Sequence, residues 1–303
     1  SFLENKNYKF DKKIILDNLP ESFIDDAIKS ISSWKTYEPT PLIRLNKLNN
    51  ELKFNEIYYK DEDKRFNLKS FKALGGAFAV YKIANEKKDI TVATATAGNH
   101  GRSVAWGAQR LGLKCKIFIS ENVSESRAEA MRNLDAEVIR VKGNYDNSLK
   151  ECIEQSNKNN WEIVQDVSWE GYKEVPKLIM AGYTIMVKEI IDQIDRNSIT
   201  HVFLQAGVGG MAAAMIAGFA KLSKNIPQFI IIEPENADCV FQSIKNNKPT
   251  TVDIKKETVM GGMSCGDVST IAWEILKNSA NYCLTIPDEA ISTAVALLAE
   301  ARL

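Results

Sequence analysis

The chain has 303 residues, 45% of them hydrophobic, and its 39 basic and 39 acidic side chains cancel to a formal net charge of zero. No basic excess or arm points to nucleic acid, and no apolar stretch is long or continuous enough to span a bilayer. Five cysteines with no Cys-x-x-Cys pair argue against a disulfide scaffold or a zinc site and fit a reducing cytoplasm, and two histidines, His100 and His201, cannot build a metal site of three or more.

The first six residues, Ser1-Phe2-Leu3-Glu4-Asn5-Lys6, lack the basic and apolar regions of a signal peptide. Apolar β-type runs predict strands at 57–59, 91–95, 116–119, 138–141, 162–165, 201–206, 229–233 and 282–286. Between them lie helical patterns. Val104, Ala105, Ala108 and Leu111 make one stripe over 99–111. Ile179, Met180, Tyr183, Val187, Ile190, Ile191 and Ile194 recur at helical spacing over 176–194, with Pro176 in the first turn. An Ala-rich helix follows Met211 and runs to Leu222. Such alternation predicts an α/β fold with parallel sheets flanked by helices, and ligands at the carboxyl ends of the strands. There is no repeat and no Gly/Ser linker to mark a domain boundary.

Three motifs carry chemistry. Lys72 lies in Ser70-Phe71-Lys72-Ala73-Leu74-Gly75-Gly76, an apolar and tightly packed setting. A lysine held there is a nucleophile toward an aldehyde, although Lys69 is an alternative on chemistry alone. Asn99 and His100 open a helix in Ala97-Gly98-Asn99-His100-Gly101. Gly207-Val208-Gly209-Gly210-Met211 follows a buried strand and precedes a helix, which suits a phosphate. The same turn matches a dinucleotide fingerprint, Gly207-x-Gly209-x-x-Ala212 with Glu233 ending the next strand, and so leaves a nicotinamide-dependent oxidoreductase open. Gly262-Met263-Ser264-Cys265-Gly266 has the Gly-x-Ser-x-Gly form of a hydrolase elbow, but no histidine follows His201 to complete a triad. Asp166 ends the 162–165 strand, where it serves either as a proton-abstracting base or as a turn residue. His100 is either a base or a packed helix-start residue.

These segments together resemble fold-type-II pyridoxal-phosphate enzymes, the tryptophan synthase β and threonine dehydratase group. The stretches 65–76, 98–106, 165–172, 204–209 and 266–276 are similar to the diaminopropionate ammonia-lyase family, and the likeness covers most of the chain from Pro39 onward. The resemblance implies a two-domain homodimer. Residues 1–76 and 186–303 would form a large domain that binds pyridoxal 5'-phosphate and continues in the family beyond Leu303; residues 77–185 would form a small one. It implies that Lys72 holds the cofactor covalently beside Phe71, that Asn99 bonds its ring hydroxyl, and that the amides of Gly207, Val208, Gly209, Gly210 and Met211 hold its phosphate. The dinucleotide match then becomes a lookalike. Asp166 would take the proton of an L-substrate, with Tyr145, Ala97, Gly98 and His100 on the substrate side. Ammonia-lyases of the family carry Asp where this chain has Ala97, and that Asp serves the D-substrate; threonine dehydratases have Ala. The implied reaction is α,β-elimination of 2,3-diaminopropionate, with an L-threonine or L-serine dehydratase, or a non-catalytic cofactor-binding homologue, as alternatives.

Overall fold

A computed structural model describes residues 1–96, 98–194 and 199–301. Among them the strands are β1 (Phe2–Glu4), β2 (Leu42–Arg44), β3 (Tyr58–Lys60), β4 (Thr91–Ala95), β5 (Lys114–Ser120), β6 (Glu137–Val141), β7 (Glu162–Ile163), β8 (His201–Gln205), β9 (Gln228–Pro234) and β10 (Tyr282–Ile286). The first helices are α1 (Lys12–Asn18), α2 (Glu21–Ser32), α3 (Asn46–Leu52), α4 (Lys72–Glu86), α5 (Asn99–Leu111), α6 (Glu125–Arg132) and α7 (Tyr145–Asn159). They are followed by α8 (Glu174–Tyr183), α9 (Ile185–Gln193), α10 (Gly210–Leu222), α11 (Cys239–Asn246), α12 (Thr270–Ser279) and α13 (Ala290–Ala301).

Residues 1–20, 38–64 and 186 onward form one compact unit; residues 21–37 and 65–185 form another. The first unit contains the sheet β1-β10-β9-β8, in which β10, β9 and β8 are parallel and β1 runs antiparallel on β10. Phe229, Ile230 and Ile231 of β9 are buried. The small side chains Ala212, Ala213, Ala214 and Ala217 let α10 bury almost its whole surface, with Phe219 packed on Phe229 at 5.8 Å. The second unit holds the fully parallel sheet β6-β5-β4-β7. Val92, Ala93, Thr94 and Ala95 of β4 are fully buried, as expected of a parallel strand covered on both faces.

This is the expected α/β architecture, but three local readings differ. Helix α4 begins at Lys72 and runs unbroken to Glu86, so residues 65–76 belong with the second unit rather than with 1–64. Residues 21–37 join them because Trp34 packs against Phe66, Tyr81 and Trp106, with the Arg110 guanidinium 4.3 Å from its ring. The helix expected over 176–194 is two, α8 and α9, broken at Thr184, whose hydroxyl donates to the Ala181 carbonyl at 2.6 Å and competes with the helical ladder.

The glycines around Lys72 are there for helix crossing. A Cβ on Gly182 would stand 2.7 Å from the Leu74 carbonyl oxygen and 2.9 Å from the Gly75 Cα, so α8 meets α4 backbone to backbone. One on Gly76 would meet Ser103 Oγ at 2.4 Å, on α5. Because backbone cannot step aside, Gly182→Ala is expected to cost about 1–3 kcal/mol. Denaturant unfolding of the variant checks this; an unchanged midpoint contradicts the crossing.

Candidate active site

In the second unit, functional side chains collect where β4 and β7 end and where α4 and α5 begin. The approach to α4 is tight. Phe66, Asn67 and Lys69 have φ of 48°, 59° and 55°, a left-handed conformation that side chains other than glycine rarely adopt. Strain of this kind concentrates at functional sites. It turns the chain so that Lys69 is exposed while Lys72 enters the interior. There Lys72 Nζ donates to Asp166 Oδ2 at 2.6 Å, with side chains 26% and 14% exposed, withdrawn from solvent but reachable. Lys72 thus faces a carboxylate, a partner that its apolar local sequence does not show.

Gln165 positions that carboxylate. Its fully buried amide oxygen accepts from Thr94 Oγ1 (2.8 Å) and the Ala95 N–H (3.1 Å). Its amide nitrogen donates to the Ala95 carbonyl (2.9 Å) and to Tyr145 Oη (2.7 Å). One side chain therefore ties the end of β7 to the end of β4 and anchors the half-exposed Tyr145. Tyr145 itself begins α7, where Asn144 and Asn147 cap each other's backbone.

His100 lies in the first turn of α5, 1% exposed. Its Nε2 is 2.8 Å from the Val164 carbonyl oxygen, which makes Nε2 the nitrogen that carries hydrogen. Its Nδ1 has no hydrogen-bond partner and lies 3.8 Å from Asp166 Oδ2. Burial lowers the pKa of His100, so the imidazole is neutral near pH 7. Burial alone would raise that of Asp166, but the Lys72 ammonium bonded to it outweighs burial and holds the carboxyl below the usual carboxylate range. Asn99 and Gly98 are exposed at the start of α5, where Gly98 caps it in extended conformation. Ala97 lies outside the described residues. Phe71 caps α4 and makes an edge contact with Tyr183, centroids 5.2 Å apart.

In the first unit, β8 ends at Gln205 and α10 starts at Gly210. A Cβ on Gly207 would meet Cys265 Sγ at 3.0 Å and the Gly262 oxygen at 3.1 Å. Gly209 has φ +86°, and a Cβ there would meet Leu276 Cδ1 at 2.8 Å. Glycine is required at 209, a Cβ at 207 would press its neighbours back by a few tenths of an ångström, and the first N–H groups of α10, which include those of Gly210 and Met211, have no acceptor within the helix. Val208 bonds outward through its carbonyl, which accepts from Ser269 N–H.

Glu233 overturns the dinucleotide reading. Its carboxylate is fully buried and accepts from the Val240 and Phe241 N–H groups at 2.9 and 2.7 Å, capping α11 rather than facing a ribose. Burial pushes its pKa up to about 8 despite those two bonds. The hydrolase elbow fails as well, because no strand leads into 260–264 and residues Gly261–Met263 form a short 3-10 turn. All five cysteines are free thiols.

Residues 34–303 match the family described as pyridoxal-phosphate dependent enzyme. This chain belongs to that family. Within it the chain is 36% identical over 283 residues to the diaminopropionate ammonia-lyase of Escherichia coli (strain K12), covering 86% of this chain and 71% of that protein. The crystal structure of the Escherichia coli enzyme in complex with an aminoacrylate-PLP azomethine reaction intermediate superposes with a TM-score of 0.87 at 34% identity, over 96% of this chain and 77% of that one. Its complex with D-serine gives a TM-score of 0.86 at 33% identity, over 94% and 76%. The chain thus groups with the diaminopropionate ammonia-lyases, and its cofactor is pyridoxal 5'-phosphate.

The residues present suit that cofactor. Lys72 brings a half-buried ε-amine paired with Asp166, the buried His100 Nδ1 and Tyr183 Oη have no partner, and Gly209 in the turn before α10 has no room for a Cβ. Gln165 and Tyr183 were not singled out from sequence. Gln165 sits in a motif quoted there without a role, and Tyr183 reads as one more member of an apolar stripe.

Proposed function

We propose that this chain is an ammonia-lyase acting by α,β-elimination on 2,3-diaminopropionate, with the L-form favoured, to give pyruvate and two molecules of ammonia with the uptake of one water. The observation that carries the reading is the Lys72–Asp166 pair, an amine and a carboxylate in bonding contact at the start of α4. Lys72 Nζ would hold the cofactor covalently, with Phe71 and Asn99 beside its ring and the amides of Gly207, Val208, Gly209, Gly210 and Met211 toward its phosphate. When bound, pyridoxal phosphate supplies an electron sink for negative charge at the substrate α-carbon.

The protein's own groups do the proton work. Asp166 Oδ2 takes the α-proton of the L-substrate, and its ionised state suits a base. Lys72 Nζ, in contact with Asp166, would serve as a second base. Tyr145, oriented by Gln165, stands on the substrate side with Gly98 and His100. Ala97 supplies no carboxylate for a D-substrate, and this supports the L-preference. Among the described residues no helix is long and apolar enough to cross a membrane. The free cysteines support a cytoplasmic enzyme, and the family resemblance supports a homodimer.

A second reading, an L-serine or L-threonine dehydratase, is favoured by Ala97 alone. Ammonia release from D- and L-diaminopropionate, L-serine and L-threonine separates the two. The expected order puts L-diaminopropionate first and its D-isomer about tenfold or more below it, a ratio within reach of one missing contact. A preference for serine or threonine over L-diaminopropionate would overturn the assignment.

A further inference from the structure

Tyr183 ends α8 at 3% exposure, yet its hydroxyl has no hydrogen-bond partner. Buried tyrosine hydroxyls ordinarily find one. Two contacts fix where the ring lies. It meets Phe71 edge-on, at 5.2 Å and 76°, and its Cε1 is 2.5 Å from where a Cβ on Gly75 would stand. Phe71 and Gly75 bracket Lys72 on α4. Side chains on a helix lean toward its N-terminus, so a ring over Gly75 occupies the space beside the Lys72 stem. Burial pushes the phenol's pKa up, and the charges it senses are those of Lys72 and Asp166. The hydroxyl is therefore a protonated donor beside the lysine–carboxylate pair.

We propose that Tyr183 is a positioning residue whose hydroxyl donates to Asp166 when the cofactor takes the nitrogen of Lys72. The inference rests on the lysine-bound cofactor proposed above. Without it, Asp166 Oδ2 accepts from the Lys72 ammonium at 2.6 Å. Once that nitrogen is joined to a carbonyl carbon, a carboxylate 14% exposed needs another donor. The titratable groups around Asp166 among the described residues are Lys72, His100, Tyr172 and Tyr183. His100 presents a lone pair at Nδ1, because its hydrogen is engaged on the Val164 carbonyl. The Tyr172 hydroxyl donates to the Ile163 carbonyl at 2.9 Å. With the Lys72 nitrogen taken up, Tyr183 alone of the other three holds a donor hydrogen that is not engaged. Its hydrogen bond favours the ionised form of Asp166 in the loaded enzyme and aims the carboxylate at the substrate.

The test is Tyr183→Phe in the cofactor-loaded protein, beside the parent. Three results are expected. The cofactor-free variant unfolds no earlier than the parent, because the lost hydroxyl made no bond. Borohydride still traps the cofactor on Lys72. The acidic midpoint in the pH titration of the bound cofactor's absorption band moves up by about half a unit or more, and kcat falls about tenfold or more, the scale of one hydrogen bond to a charged group. Trapping on Lys72 with an unshifted titration and an unchanged kcat would sink the Tyr183 role alone. Absence of trapping in the parent would sink the lysine-bound cofactor, and this role with it.

Discussion

Lys72→Ala is expected to abolish covalent cofactor attachment and to lower ammonia release by at least about 10³-fold, since one side chain supplies both the nucleophile and a proton-transfer group. The substitution also has a structural consequence. Asp166 loses its 2.6 Å donor, and His100 Nδ1, 3.8 Å away, offers a lone pair rather than a hydrogen. A hydrogen bond to a charged group contributes about 1.5–3 kcal/mol, and partial exposure of both partners puts the loss at the lower end. Lys72→Arg separates the two effects. A guanidinium keeps a positive donor for Asp166 but does not hold an aldehyde, so stability is retained while attachment is lost. Absorption of the bound cofactor and unfolding midpoints of both variants check this. Attachment that survives in Lys72→Ala would contradict the assignment.

Asp166→Asn carries the second large effect. Removing a positioned base ordinarily costs 10²–10⁴-fold, so turnover of L-diaminopropionate should fall by about that much while the cofactor stays attached to Lys72. Stability should change with pH in a defined direction. The folded pKa of Asp166 is depressed, so its contribution to stability is fully present above the unfolded carboxyl value of about 3.9 and is lost as pH falls through the lower folded value. The parent should therefore gain on the variant as pH rises through that window and hold a constant lead above it. Unfolding midpoints at several pH values, with steady-state kinetics on the L-substrate, test both parts. An Asn variant with kcat near that of the parent would move the base elsewhere.

Much of this was legible in sequence, for identifiable reasons. The buried parallel strand β9 carries the continuous apolar run Phe229-Ile230-Ile231-Ile232, and the turn after β8 shows itself because three glycines stand in four positions. What escaped was long-range or geometric. Lys72 and Asp166 are 94 residues apart, and no local pattern announces that they touch. The strained approach at Phe66, Asn67 and Lys69, which turns one lysine out and the other in, escapes because Phe and Lys have no preference for positive φ and one Asn among them is too weak a signal. The three-residue strands β1 and β2 are too short to show periodicity. Glu233 stood where a ribose ligand stands in a dinucleotide fold, and only the position of the α11 N-terminus shows that its carboxylate is turned inward. Gly75 and Gly76 read as tight packing, but the helices that meet there, and Gly182 on one of them, could not be named from spacing.

The central claim is that Lys72 is the residue joined to pyridoxal phosphate. Incubation with the cofactor, reduction by borohydride and mass mapping of the peptides tests it most directly. The account predicts one reduced adduct, on Lys72, which disappears in Lys72→Ala; an adduct on the exposed Lys69, or none on either lysine, would contradict it.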